Sequence, residues 1–190
     1  MKLHLLIFSC FLFEAAGAQL TTSVSWTEQS TFPVKEVIYY SPDKNLNWAD
    51  FKGSPIESRA AAVTVSGFGY KANINTRNGK GQLNTSVYCY FHKNKSWVKP
   101  GRTTSYILNH EQHHFDISYI AARIFVNKLQ SMVFTSSNYN VMLPRIYNEC
   151  CDIMNKMQDD YDGQTKNGQL KDIQAKWNDL VDEKISLITK

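Results

Sequence analysis

Two histidines and a glutamate stand together at His110-Glu111-Gln112-His113-His114, in the spacing that binds zinc when it falls on a helix. Residues four apart on an α-helix lie about 40° apart round its axis, one turn over the other. His110 and His114 can therefore aim two imidazole nitrogens at one ion. Glu111 projects about 100° round from His110, near enough to reach a water at the ion without taking a coordination position. In that arrangement zinc acidifies the water and polarises the carbonyl under attack, while the carboxylate accepts the proton. His113 falls off this face and takes no metal role.

Two ligands do not complete a catalytic zinc site, which draws three from protein and one from water. The third must come from downstream, where Glu149, Asp152, Asp159, Asp160 and Asp162 all carry suitable oxygens. Spacing alone does not choose among five carboxylates. The competing structural reading is a helix whose histidines are hydrogen-bonded in the core. It is costly, because two buried imidazoles beside a buried carboxylate need compensation.

The motif requires a helix, and the chain changes texture where one is needed. Before Pro100 the pattern is β-like. Val34 to Tyr40 reads as a strand and Ala60 to Ile74 as one long strand or two. Asn78-Gly79-Lys80-Gly81 is a turn, and from Gln82 to Phe91 the residues Leu83, Thr85, Val87, Cys89 and Phe91 alternate on one face. After Pro100-Gly101 the period becomes helical. Thr103 or Thr104 can cap a helix to about Met132, with Ile107, Ile117, Ala121, Ile124 and Leu129 as its apolar residues. A second helix is expected from Pro144 to about Asp160. Gly163 to Gly168 reads as a polar connector, and Gln169 to Ile188 as a third helix with Ile173, Trp177, Leu180, Ile185 and Ile188 near one face. The predicted fold class is α+β, an antiparallel β region followed by a three-helix part that carries the metal motif.

The chain has 190 residues and a formal net charge of +4, a mild excess without the dense Lys/Arg cluster that nucleic acid binding needs. Lys2, the apolar stretch Leu3 to Phe13 and Ala16-Gly17-Ala18 have the form of an export signal cut after Ala18. Residues 19–190 would then be a single domain, secreted or periplasmic, with no stretch apolar enough to span a bilayer. In an oxidising compartment Cys89 can bridge to Cys150 or Cys151; three free, buried thiols are the equal alternative.

Several ordered pieces resemble the bacterial domain-of-unknown-function family 922, whose members are described as secreted zinc-dependent proteases. They are Asn47-Trp48-Ala49-Asp50-Phe51-Lys52-Gly53, Ala60-Ala61-Ala62-Val63-Thr64-Val65-Ser66-Gly67 and Ser96-Trp97-Val98. Leu108-Asn109-His110-Glu111-Gln112-His113-His114-Phe115-Asp116-Ile117 follows, then Tyr161-Asp162 and Gln174-Ala175-Lys176-Trp177. The resemblance runs from about Leu46 to Lys184. It implies a zincin-like metallopeptidase for peptide or protein substrates, with Zn2+ held by His110 and His114 and with Glu111 as general base. The family's later motif has a histidine where this chain has Asn167, and a glutamate where it has Gln164. Asp162 or Asn167 then stands as the third ligand. The alternative is a zinc-binding or interaction module of the cell envelope that has lost peptidase activity.

Overall fold

The computed structural model describes residues 18–77 and 80–188. The expected export leader up to Gly17, and Asn78 and Gly79 of the expected turn, lie outside the described residues. Six strands come first: β1 (Leu20–Trp26), β2 (Val37–Tyr39), β3 (Ala62–Val63), β4 (Ser66–Arg77), β5 (Lys80–His92) and β6 (Trp97–Val98). Three helices follow, α1 (Ser105–Ser131), α2 (Tyr139–Thr165) and α3 (Lys171–Ile188). The chain is thus α+β, with helices after sheets as the change of period at Pro100 predicts.

The main sheet is mixed rather than antiparallel. β5 is its central strand, and β4 runs antiparallel along it from Ser66 opposite Phe91 to Arg77 opposite Lys80. On the other edge β1 lies parallel to β5, with Leu20 opposite Gly81 and Trp26 opposite Val87. β2 continues that edge antiparallel, Val37 opposite His92. β3 and β6 form a separate antiparallel pair. The expected strand over 34–40 survives only as β2, because Pro33 opens a 3-10 turn closed by the Glu36 N–H on its carbonyl at 2.9 Å. β1 has the half-buried alternation of a sheet strand: Leu20 is buried, while Thr21, Ser23 and Ser25 are exposed.

Leu83, Thr85, Val87, Cys89 and Phe91 are all buried, and the apolar members of this row pack with α1 in the main core. On the other face Tyr88 lies over Gly69, where an added Cβ would stand 2.6 Å from its hydroxyl. α1 packs against β4, β5, α2 and α3, which is why so many of its residues are buried. Phe125 is wholly buried, its ring centre 5.8 Å from Phe68, 5.3 Å from Tyr70 and 5.7 Å from Tyr147. Phe125→Ala is expected to lower unfolding free energy by about 3–5 kcal/mol, measured by urea denaturation, because these rings cannot close over the void.

α2 is longer than expected at both ends. It begins at Tyr139, ahead of Pro144, and runs through Gly163 to Thr165. Pro144 forfeits one intrahelical bond, while Leu143 and Ile146 beside it are buried against the core. At the far end Tyr161 and Thr165 are fully buried, and the Thr165 hydroxyl donates to the Tyr161 carbonyl at 2.7 Å. Those anchors carry the helix past Gly163. Cys89, Cys150 and Cys151 are free thiols, so no bridge joins β5 to α2. Among the described residues no helix is long and apolar enough to cross a membrane.

Candidate metal centre

α1 is capped by Thr104, whose hydroxyl accepts the Ile107 N–H at 3.2 Å. The motif therefore lies in a regular part of the helix, with His110 and Glu111 buried and His114 close to it. Gln112 ties the same helix to the loop between β2 and β3: its side-chain oxygen accepts the Leu46 N–H at 2.8 Å, and its amide donates to Asp116 at 2.8 Å. Tyr40 donates to the same Asp116 oxygen at 3.0 Å.

Three ligand atoms converge. His110 Nε2 and His114 Nε2 are 3.2 Å apart, and Asp162 Oδ1 is 3.1 Å from the first and 3.2 Å from the second. The ligands of a tetrahedral zinc ion, with bonds of about 2.0–2.1 Å, stand about 3.3 Å from one another. Two imidazole nitrogens and one carboxylate oxygen are also a donor set that suits zinc. Among the described residues, His110, His114 and Asp162 form a group that could hold a metal ion. Glu111 adds a second sign, since its Oε2 is buried with no hydrogen-bond partner.

Asp162 comes from α2, which runs antiparallel to α1 and sets Asp162 beside the two histidines. The other acidic candidates are engaged elsewhere or exposed. Glu149 meets Lys128 at 3.0 Å and Arg145 at 3.2 Å, and Asp160 pairs with Lys156. Asp152 and Asp159 are exposed. Asn167 is exposed too, and it contributes its backbone N–H to the Asp162 carbonyl at 2.8 Å. His113 points away, bonded to the Asn109 carbonyl at 2.7 Å and 3.6 Å from Asp182 of α3.

Burial pushes the Asp162 carboxyl up, but the hydrogen bonds and charges of His110 and His114 outweigh it and hold it well below the usual carboxylate range. Burial likewise disfavours a charged His114, yet the Asp162 hydrogen bond and the Glu111 and Asp162 charges raise its proton affinity. A cluster this electronegative is suited to a cation.

The surroundings hold the imidazoles in place. Tyr161 stacks on His110 at 4.6 Å and 19° and meets His114 edge-on at 5.0 Å. His110 Nδ1 is 2.8 Å from Gln174 Oε1 of α3, and His114 Nδ1 is hydrogen-bonded to Gln158 Oε1 of α2. None of Tyr161, Gln158 and Gln174 was given a role by the motif itself. A signal for one existed: Gln158 and Asp162 are four apart on α2, as His110 and His114 are on α1.

After α2 the chain turns through Lys166, Asn167 and Gly168, all with positive φ (50°, 53° and 75°). Gly168 sits against His110, where an added Cβ would stand 3.3 Å from Nδ1, and its carbonyl accepts the Tyr106 hydroxyl at 2.6 Å. Gly168→Ala is expected to lower stability by about 1–2 kcal/mol, the cost of a left-handed alanine, in thermal or urea unfolding.

No family model matches the chain, and neither a curated protein nor a solved structure matches it.

Proposed function

We propose that the protein is an exported, zinc-dependent peptidase of zincin-like architecture, akin to the family it resembles. The observation that carries the reading is the triangle of His110, His114 and Asp162 ligand atoms beside Glu111, whose Oε2 has no hydrogen-bond partner among the described residues. When bound, zinc would supply Lewis acidity to the water and to the scissile carbonyl. His110, His114 and Asp162 would hold it, an aspartate standing in for the later histidine of the resembled family. Glu111 accepts a proton from the attacking water and delivers it to the leaving amine, which turns one amide and one water into an acid and an amine.

A peptide suits the strand beside α1. Val63 pairs with Trp97, and the Lys99 N–H bonds the Ala61 carbonyl at 2.9 Å, so residues 61 and 63 direct their backbone groups to β6. By strand alternation, Ala62 and Thr64 direct theirs to the opposite edge. The Thr64 hydroxyl donates to the Glu111 carbonyl at 3.1 Å, which sets that edge beside the metal helix. An extended substrate can add to it as a strand. Export rests on Lys2, the apolar stretch to Phe13 and Ala16-Gly17-Ala18.

The test combines elemental analysis of mildly purified protein with turnover of a mixed peptide library. One zinc per chain is expected, with cleavage abolished by a chelator and restored by zinc. Stoichiometric zinc without cleavage supports the non-catalytic module instead. A chain that takes up no metal overturns both.

A further inference from the structure

We infer that Gln158 and Gln174 are positioning residues that lock His110 and His114 in the Nδ1–H tautomer, so both Nε2 atoms meet the cluster as bare lone pairs. The use of this device rests on the metal-site reading above; the tautomers themselves do not.

Each amide is oriented by its own donors. The Gln174 NH2 donates to Asn178 Oδ1 at 2.6 Å and to the Tyr161 hydroxyl. The Asn178 NH2 is occupied with Asn109 Oδ1 at 2.8 Å, so Asn178 offers Gln174 an acceptor. Turning the Gln174 amide round would set oxygen against oxygen. Its Oε1 therefore faces His110 Nδ1 at 2.8 Å, and the hydrogen must sit on that nitrogen. Gln158 is fixed by a main-chain group that can only accept: its NH2 donates to the His114 carbonyl at 2.8 Å. Gln158 Oε1 is left for His114 Nδ1, which must carry the hydrogen there as well.

The consequence lies on the other side of the rings. With both rings neutral and their hydrogens on Nδ1, the two Nε2 atoms and Asp162 Oδ1 are three acceptors at 3.1–3.2 Å that share no hydrogen. A cation relieves that repulsion. Partners behind metal-bound histidines are commonly carboxylates or backbone carbonyls, and a carboxylate raises ligand basicity. Amides orient the rings without adding charge to a site that already holds Glu111 and Asp162. The glutamines stand on α2 and α3, so the last helix, remote from the motif in sequence, closes the back of the site.

The experiment is nitrogen NMR of 15N-histidine-labelled full chain, metal-free and at mildly alkaline pH, with zinc affinity measured by chelator competition. The expected result is Nδ1–H on both His110 and His114. Gln174→Leu should release the tautomer of His110 only, and Gln158→Leu that of His114 only. Each should weaken zinc about 10–100-fold. Gln158→Glu and Gln174→Glu should keep the tautomer and bind zinc at least as tightly as the parent. An Nε2–H tautomer in the parent protein, or leucine variants with unchanged tautomers and affinity, would overturn the inference. Should a leucine variant fail to fold, the parent spectrum and the glutamate variants decide. Tautomers that follow the glutamines in a chain that binds no zinc uphold the positioning role and sink the metal reading.

Discussion

Glu111→Gln is expected to keep zinc and the thermal midpoint of the parent while losing about 10²–10⁴-fold in peptide hydrolysis, the usual contribution of a general base. The substitution keeps the side chain's shape in a place where there is little room: Glu111 is only 4 % exposed. It does not touch the three ligand atoms, which belong to His110, His114 and Asp162. What it removes is proton acceptance at a carboxylate oxygen that has no hydrogen-bond partner among the described residues. Hydrolysis is read by kcat/KM on a substrate from the library, and zinc by elemental analysis of the same preparation. If Glu111→Gln cleaves as fast as the parent, Glu111 is not the base and the peptidase proposal loses its central residue. If it loses the metal, Glu111 belongs among the ligands and the triangle has been misread.

How far the sequence carries toward this site depends on whether each feature is local. The helix that carries His110 and His114 is a local feature, since the capping Thr104 and the helical spacing of Ile117, Ala121 and Leu129 both lie within one stretch of chain. The alternation from Leu83 to Phe91 is local in the same sense, and the structure buries that row as predicted. β1 is harder to see because Thr22 interrupts the inward row of Leu20, Val24 and Trp26, and its parallel partner lies some sixty residues away. Pro144 and Gly163 read as boundaries of α2, yet burial of Leu143, Ile146, Tyr161 and Thr165 carries the helix past both. Local propensity is a weak prior that tertiary packing overrides. The place of Asp162 beside the two histidines is the least legible, because it depends on the register between α1 and α2. Spacing does not separate Asp162 from Asp159 or Asp160; the Tyr161-Asp162 match to the resembled family narrows the choice to Asp162 or Asn167, and the packed helices set Asp162 beside the two histidines.

That register yields the sharpest expected result on the metal. Asp162→Ala is expected to lower zinc affinity by more than the roughly 100-fold that marks the loss of an outer partner, because it removes a ligand itself. His110→Ala and His114→Ala should do at least as much. Asn167→His, which restores the residue the resembled family has there, should change zinc affinity little. Asn167 is exposed, in a left-handed turn at φ 53°, and it contributes a backbone N–H to Asp162 rather than a donor to the cluster. Histidine is among the residues that tolerate this backbone region, so the variant should fold. His113→Ala should also keep its zinc, since that ring faces Asn109 and Asp182. Chelator competition on the five variants separates the possibilities. Unchanged affinity in Asp162→Ala, with a large gain in Asn167→His, would mean that the turn after α2 swings inward to supply the third ligand. Loss of zinc in Asp162→Ala with no gain in Asn167→His leaves the aspartate as the ligand that completes the site.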